Sequence, residues 1–140
     1  DTLPLPFYKL YSITKLMADN YIIDTNNNYL IIRSIFKKKP FEWNKAYADY
    51  YGVFDYVDVI SNIIIKLINK NAHGIINIGT QYKSMFNLAK QTKSNVKRAL
   101  YKDEVEQYKI STSDLKIVYH KVFPDAIFDL TKMNKWLEDE

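Results

Sequence analysis

The spacing of apolar side chains divides the chain into alternating elements. Leu10, Ile13, Met17 and Tyr21 recur at three- and four-residue steps, which predicts a helix over residues 9–25 with one buried face. The proline-punctuated lead-in "DTLPLPFYK" reads as extended. "TNNN" at 25–28 breaks the helix, and "YLIIRSIF" at 29–36 is a β-branched and aromatic run that suits a buried strand. Residues 37–55 show no period but carry Phe41, Trp43, Tyr47, Tyr50, Tyr51 and Phe54. That is long for a structureless connection, and such loops are often functional. Val57, Ile60, Ile64 and Leu67 make the stripe of a second helix, with Gly74 beyond its end as a C-cap or turn residue. "IINIG" at 75–79 is a second buried strand, and Ser84 can N-cap a helix through "MFNLAKQTK". "NVKRALYKDEV" reads as a strand with a charged end, and Ser111, Thr112, Ser113 and Asp114 as a turn or cap cluster. "DLTKMNKWLEDE" reads as a short closing helix begun by Asp129 or Thr131. This order argues an α/β fold. Strands 29–33 and 75–78 should be parallel neighbours or near neighbours in one small sheet, with the 57–69 helix covering one face as their crossover and the first helix packed on the same sheet.

Composition narrows the classes. A chain of 140 residues with 47% hydrophobic residues can bury one core. The net charge of +4 is mildly basic, and the lysines are spread apart from Lys37-Lys38-Lys39, so nucleic acid is not the expected partner. There is no cysteine, which excludes disulfides and thiolate metal sites. His73 and His120 lie far apart and suggest no metal cluster. No apolar run approaches the ~18 residues of a membrane span, and no signal peptide opens the chain, so a cytoplasmic location without membrane contact is expected.

Tyr11 and Lys15 stand four apart in the first helix, where positions i and i+4 project from one face. A nearby ammonium favours tyrosinate over tyrosine, which prepares the hydroxyl for proton transfer. Two residues sharing a solvated face would show the same spacing. An α/β protein that binds a dinucleotide needs a glycine-rich turn close to the pyrophosphate. The three glycines here, Gly52, Gly74 and Gly79, form no G-x-G-x-x-G.

"YSITKLMAD" resembles the Y-x-x-x-K helix of the extended short-chain dehydrogenase/reductase family. The later segments resemble that family in order as well: "YLIIRSIF" its I-x-R-T/S strand, and "FDYVDVISNIIIKLI" the helix after a V-D or D-V pair. "HGIINIGTQYKSMFNLAKQ" resembles the G-x-x-N-x-G strand, loop and capped helix, and "FDLTKMNKWL" the closing helix. The nearest branch is the dTDP-4-dehydrorhamnose reductase-like sugar-nucleotide reductases. The match covers only the C-terminal half of such a protein, and the glycine-bearing Rossmann half is not in these 140 residues.

The resemblance implies a catalytic and substrate-binding portion of a Rossmann-like parallel-sheet reductase. Residues 1–36 would carry the catalytic helix and following strand, and 37–140 the substrate-binding region. The implied reaction is NAD(P)H-dependent reduction of a 4-keto nucleotide sugar, with epimerase or dehydratase chemistry as the near variant. Tyr11 would be the proton donor, and Lys15 would support it and hold the nicotinamide ribose of NADP or NAD. Phe36 would line the nicotinamide or sugar pocket, or simply pack in the core. Lys45 would begin the substrate-binding segment, since lysines can meet a diphosphate and aromatics a base. Lys97, Arg98 and Lys102 could meet the same diphosphate. Arg33 is expected to make a salt bridge or cap at a strand end, and Asp58 and Asn77 to cap or join turns. The partners implied are a nucleotide-sugar substrate and a second copy in a homodimer of the full-length protein. The alternative is a non-catalytic fragment that acts as a binding module.

Overall fold

Two parallel strands joined by a helix form the frame of the molecule. The computed structural model describes the backbone of residues 7–103 and 129–138, and side chains from Ile13 onward in the first helix. The proposed turn at 111–114 and His120 lie outside the described residues.

Helix α1 (Phe7–Thr25) turns back through 26–29 into strand β1 (Leu30–Ser34). Strands β2 (Phe36–Lys37), β3 (Lys45–Tyr47), β4 (Tyr51–Gly52) and β5 (Asp55–Tyr56) come next. Helix α2 (Val57–Asn69) leads to β6 (Gly74–Ile78). Then come β7 (Lys83–Ser84), α3 (Met85–Lys90), β8 (Lys97–Ala99) and α4 (Thr131–Glu138). β1 and β6 pair in parallel, Leu30 with Gly74 through Ser34 with Ile78, and α2 is their crossover. The described part is therefore α/β with small parallel sheets. β1 lies in the 1–36 portion and β6 in the 37–140 portion, and their pairing joins the two.

Four expectations need correction. The run 29–36 is not one strand. It breaks at Ile35, and Phe36–Lys37 leaves the sheet to pair in parallel with Asp55–Tyr56. Residues 37–55 are not structureless, because β3 pairs in parallel with β8 and β4 antiparallel with β7. Strands of two or three residues carry no readable period, so only their distant partners define them. Gly74 does not cap α2. Lys70 does, and Asn71 takes the left-handed turn at φ 54, while Gly74 starts β6 at φ 89. The expected inner face of α1 is also wrong, since Met17 and Tyr21 are exposed. Among its described side chains only Ile13, Asp19 and Ile23 are half-buried, and a 2.8 Å ion pair from Asp19 to Arg33 ties the helix to β1.

Two buried clusters hold the molecule together. Ile60 and Leu67 of α2 pack with Ile76 and Ile78 of β6 and Met133 of α4. Val57, expected in that stripe, is exposed at the first turn. The second cluster gathers Phe41, Ala46, Phe54, Tyr56, Met85, Leu88, Ala89 and Val96. A joint links them. Gly79 lies so close to Val53 that a Cβ would sit 2.5 Å from the Val53 carbonyl oxygen. The close approach lets Thr80 N–H donate to that carbonyl at 2.7 Å. Thr80 Oγ1 and Lys83 Nζ then both donate to Asp55 Oδ2 at 2.7 Å. Asn77 donates to the Asp129 carbonyl, and Asp129 accepts from Thr131 N–H at the start of α4, so both serve as joins, as expected for Asn77. No helix among the described residues is long and apolar enough to cross a membrane.

Candidate functional site

The stretch that lacks a period builds an open cleft of about 380 Å³. Its walls are aromatic. Phe41, only 3% exposed, meets the edge of Trp43 at 5.3 Å between centroids. Tyr47 and Tyr50 both contact Tyr101, at 5.4 and 5.7 Å. Tyr50 stacks on buried Phe54 at 5.9 Å with planes 2° apart. Ala46 and Met85 complete the lining, and Lys37 and Lys45 supply its charge.

Each wall is placed by a distinct bond. The β3–β8 pair sets residues 45–47 beside 97–99. The Asp49 carboxylate accepts the backbone N–H groups of Tyr101 and Lys102 at 2.6 and 3.1 Å, which seats the Tyr101 ring. Burial works against the Asp49 charge, but these bonds outweigh it and leave its pKa below the usual carboxylate value. Met85 is the first residue of α3, fixed because Ser84 caps the helix by accepting Asn87 N–H at 3.1 Å. Its own N–H donates to the Tyr50 carbonyl at 2.9 Å.

The electrostatics favour an anion. Twelve lysines and arginines against five acidic residues lie between 36 and 103, a net charge of +7 in a chain of net +4. Lys37 Nζ sits 4.8 Å from the Trp43 ring centroid, and burial lowers its pKa against the pull of Glu42. Lys45 and Lys97 are register partners on the parallel pair, and both are exposed. Burial raises the Tyr50 pKa, which keeps its hydroxyl protonated near neutrality.

The expected site residues are distributed unevenly. Lys45 lines the cleft. Phe36 does not line it, being 55% exposed on β2. Lys15 lies on the exposed surface of α1, away from the cleft lining. The Tyr11 backbone is helical, and its side chain lies outside the described residues. Arg33 makes the expected salt bridge, with Asp19, and Asp58 pairs with Lys39 at 2.8 Å in the first turn of α2. Arg98 and Lys102 are exposed near the cleft strands. Sequence reasoning did not single out Lys37, Met85 and Tyr101. The cap at Ser84 was a usable signal for Met85, whereas Tyr101 joins the cleft only through the pairing of β3 with β8.

Lys15 stands one helical turn before Asp19, whose carboxylate pairs with Arg33 near the carboxyl end of β1. That end also holds Ser34, whose Oγ is buried without a hydrogen-bond partner among the described residues. Among the described residues no group of three or more His, Cys, Asp or Glu could hold a metal ion. Compared with protein-family models, with curated proteins and with solved structures, the chain has no match.

Proposed function

We propose that this chain is the catalytic-helix and substrate-binding portion of a short-chain reductase acting on a nucleotide-activated 4-keto sugar, with the cleft as its nucleotide site. The observation that carries the reading is the aromatic cleft with lysines at its rim in a segment of net charge +7. Aromatic faces accept a base by stacking, and lysines meet phosphate oxygens as point charges. A cleft of about 380 Å³ is of the size that small-molecule sites occupy. The parallel β1–β6 pair with α2 as its crossover adds support, because such units recur in nucleotide-binding α/β folds.

The residues fit a nicotinamide cofactor at one end only. Lys15 and the Ser34 Oγ, which has no partner among the described residues, suit the nicotinamide riboside end. No glycine-rich turn in these 140 residues suits the pyrophosphate, so a further segment or chain would have to cradle it. When bound, the cofactor supplies hydride to the sugar carbonyl carbon. Tyr11 would give its proton to the carbonyl oxygen, and Lys15 would favour the resulting tyrosinate. Epimerase or dehydratase chemistry would use the same tyrosine as a base. The second reading, a nucleotide-binding module without catalysis, is favoured by the absence of that glycine turn.

Titration of the purified chain with dTDP, followed by calorimetry and by Trp43 fluorescence, tests the cleft. Micromolar binding that Lys45→Glu weakens by about tenfold is the expected result. Absence of binding at millimolar dTDP would overturn the reading. The same chain should not bind NADH or NADPH with micromolar affinity. When it is assayed together with a glycine-rich cofactor-binding half, Tyr11→Phe should lower turnover ~10²–10⁴-fold without moving the melting temperature. Lys15→Met should lower turnover and weaken cofactor binding together. Full activity in Tyr11→Phe leaves only the binding-module reading.

A further inference from the structure

We propose that Tyr56 and Thr92, neither of which lines the cleft, are its positioning residues: a one-way chain of hydroxyl bonds through them sets the Phe41–Trp43 wall. The chain can be read proton by proton. Tyr56 is 2% exposed, and its hydroxyl donates to the Leu88 carbonyl at 2.8 Å. That spends its only proton. The short contact between Tyr56 Oη and Thr92 Oγ1 must then be a bond donated by Thr92. Thr92 Oγ1 in turn accepts the backbone N–H of Phe41 at 3.0 Å. Protons therefore run from Phe41 N–H to Thr92, from Thr92 to Tyr56, and from Tyr56 to Leu88, with every donor used once. Hydrogen bonds in such a series polarise and orient one another.

The geometry makes this a control on the cleft. Phe41 carries the edge contact to Trp43, whose ring faces Lys37, so a shift at the Phe41 backbone moves aromatic wall and cation together. The far end of the same turn has its own anchors. Lys93 Nζ donates to Asn44 Oδ1 at 2.9 Å, and Lys97 N–H donates to the Asn44 carbonyl at 2.8 Å. The relay gives the Phe41 backbone its hydrogen-bonded tie to α3 and to Tyr56, the residue that precedes α2, beside the packing of the Phe41 ring in the cluster that holds Met85 and Leu88. Its effect on a ligand rests on the nucleotide reading given above, whereas the relay itself can be judged without any ligand.

The test compares Tyr56→Phe, Thr92→Val and Thr92→Ser in the 140-residue chain. Amide exchange is read at Phe41 against Met85, whose N–H bonds to Tyr50 outside the relay. Tyr56→Phe and Thr92→Val should each speed Phe41 exchange roughly tenfold relative to Met85. Both should weaken dTDP binding several-fold, and Thr92→Ser, which keeps the hydroxyl, should restore both readouts. A Phe41-to-Met85 ratio unchanged in both deleting variants would overturn the proposal, as would a Thr92→Ser protein that behaves like Thr92→Val. If the parent chain binds no dTDP, the nucleotide reading falls and the exchange ratio alone decides the relay.

Discussion

The most constrained charge in the described structure is Asp55, 7% exposed, with Lys83 and Thr80 on one carboxylate oxygen and its neighbour's N–H on the other. Burial opposes its ionisation, but the bonds from Lys83, Thr80 and Tyr56 N–H outweigh that and lower its pKa. Removing one partner leaves a buried charge uncompensated, so Lys83→Met should cost about 3 kcal/mol in urea unfolding. The depressed value also fixes a pH dependence. The contribution is fully present above the unfolded carboxylate pKa of about 3.9 and is lost as pH falls through the lower folded value. Stability should therefore hold steady from neutral pH to about 5 and decline below 4, and Asp55→Asn should decline less steeply over that acid range. None of this was legible in "FDYVD". Asp55 meets its partners from 25 and 28 residues away, and no local pattern encodes such a meeting. Arg33 was legible as an ion-pairing residue, because a cation in an apolar strand needs an anion, but the choice of Asp19 required the fold.

At the scale of elements, the sequence is readable where the apolar period is long. The run in β1, the stripe of α2 and the "IINI" of β6 each bury a face over enough residues to declare themselves, and their parallel pairing followed from the crossover rule. Strands β3 to β5 are two or three residues long, which is why a loop was expected there. Local devices remain testable. Ser84→Ala removes the α3 cap and should cost about 1 kcal/mol in a melting experiment. Gly79→Ala forces a Cβ onto the Val53 carbonyl, whereas Gly74→Ala meets nothing within 4 Å and suffers only its φ of 89°. Melting temperatures should therefore fall further for Gly79→Ala than for Gly74→Ala, whose cost is about 1 kcal/mol.

At the scale of the whole molecule, the charge and the cleft belong to one segment. Residues 36–103 hold the excess of cations, and the same segment supplies every residue that lines the cleft. Affinity for dTDP should accordingly fall as salt rises from about 50 to 500 mM, because partly exposed ammonium groups are screened over a Debye length of ~10 Å or less. A titration that ignores salt would count against phosphate recognition by the lysines.

The two buried clusters have no residue in common. Separate cores of this kind allow a protein to lose its structure in stages rather than all at once. The half built on β1, α2, β6 and α4 can stay folded while the half around Phe41, Phe54 and Leu88 opens, with the Asp55–Thr80–Lys83 joint as the seam between them. Native-state amide exchange in low denaturant should sort the amides into two groups with different opening energies. A nucleotide bound in the cleft should slow exchange in the second group by mass action and leave the first nearly untouched.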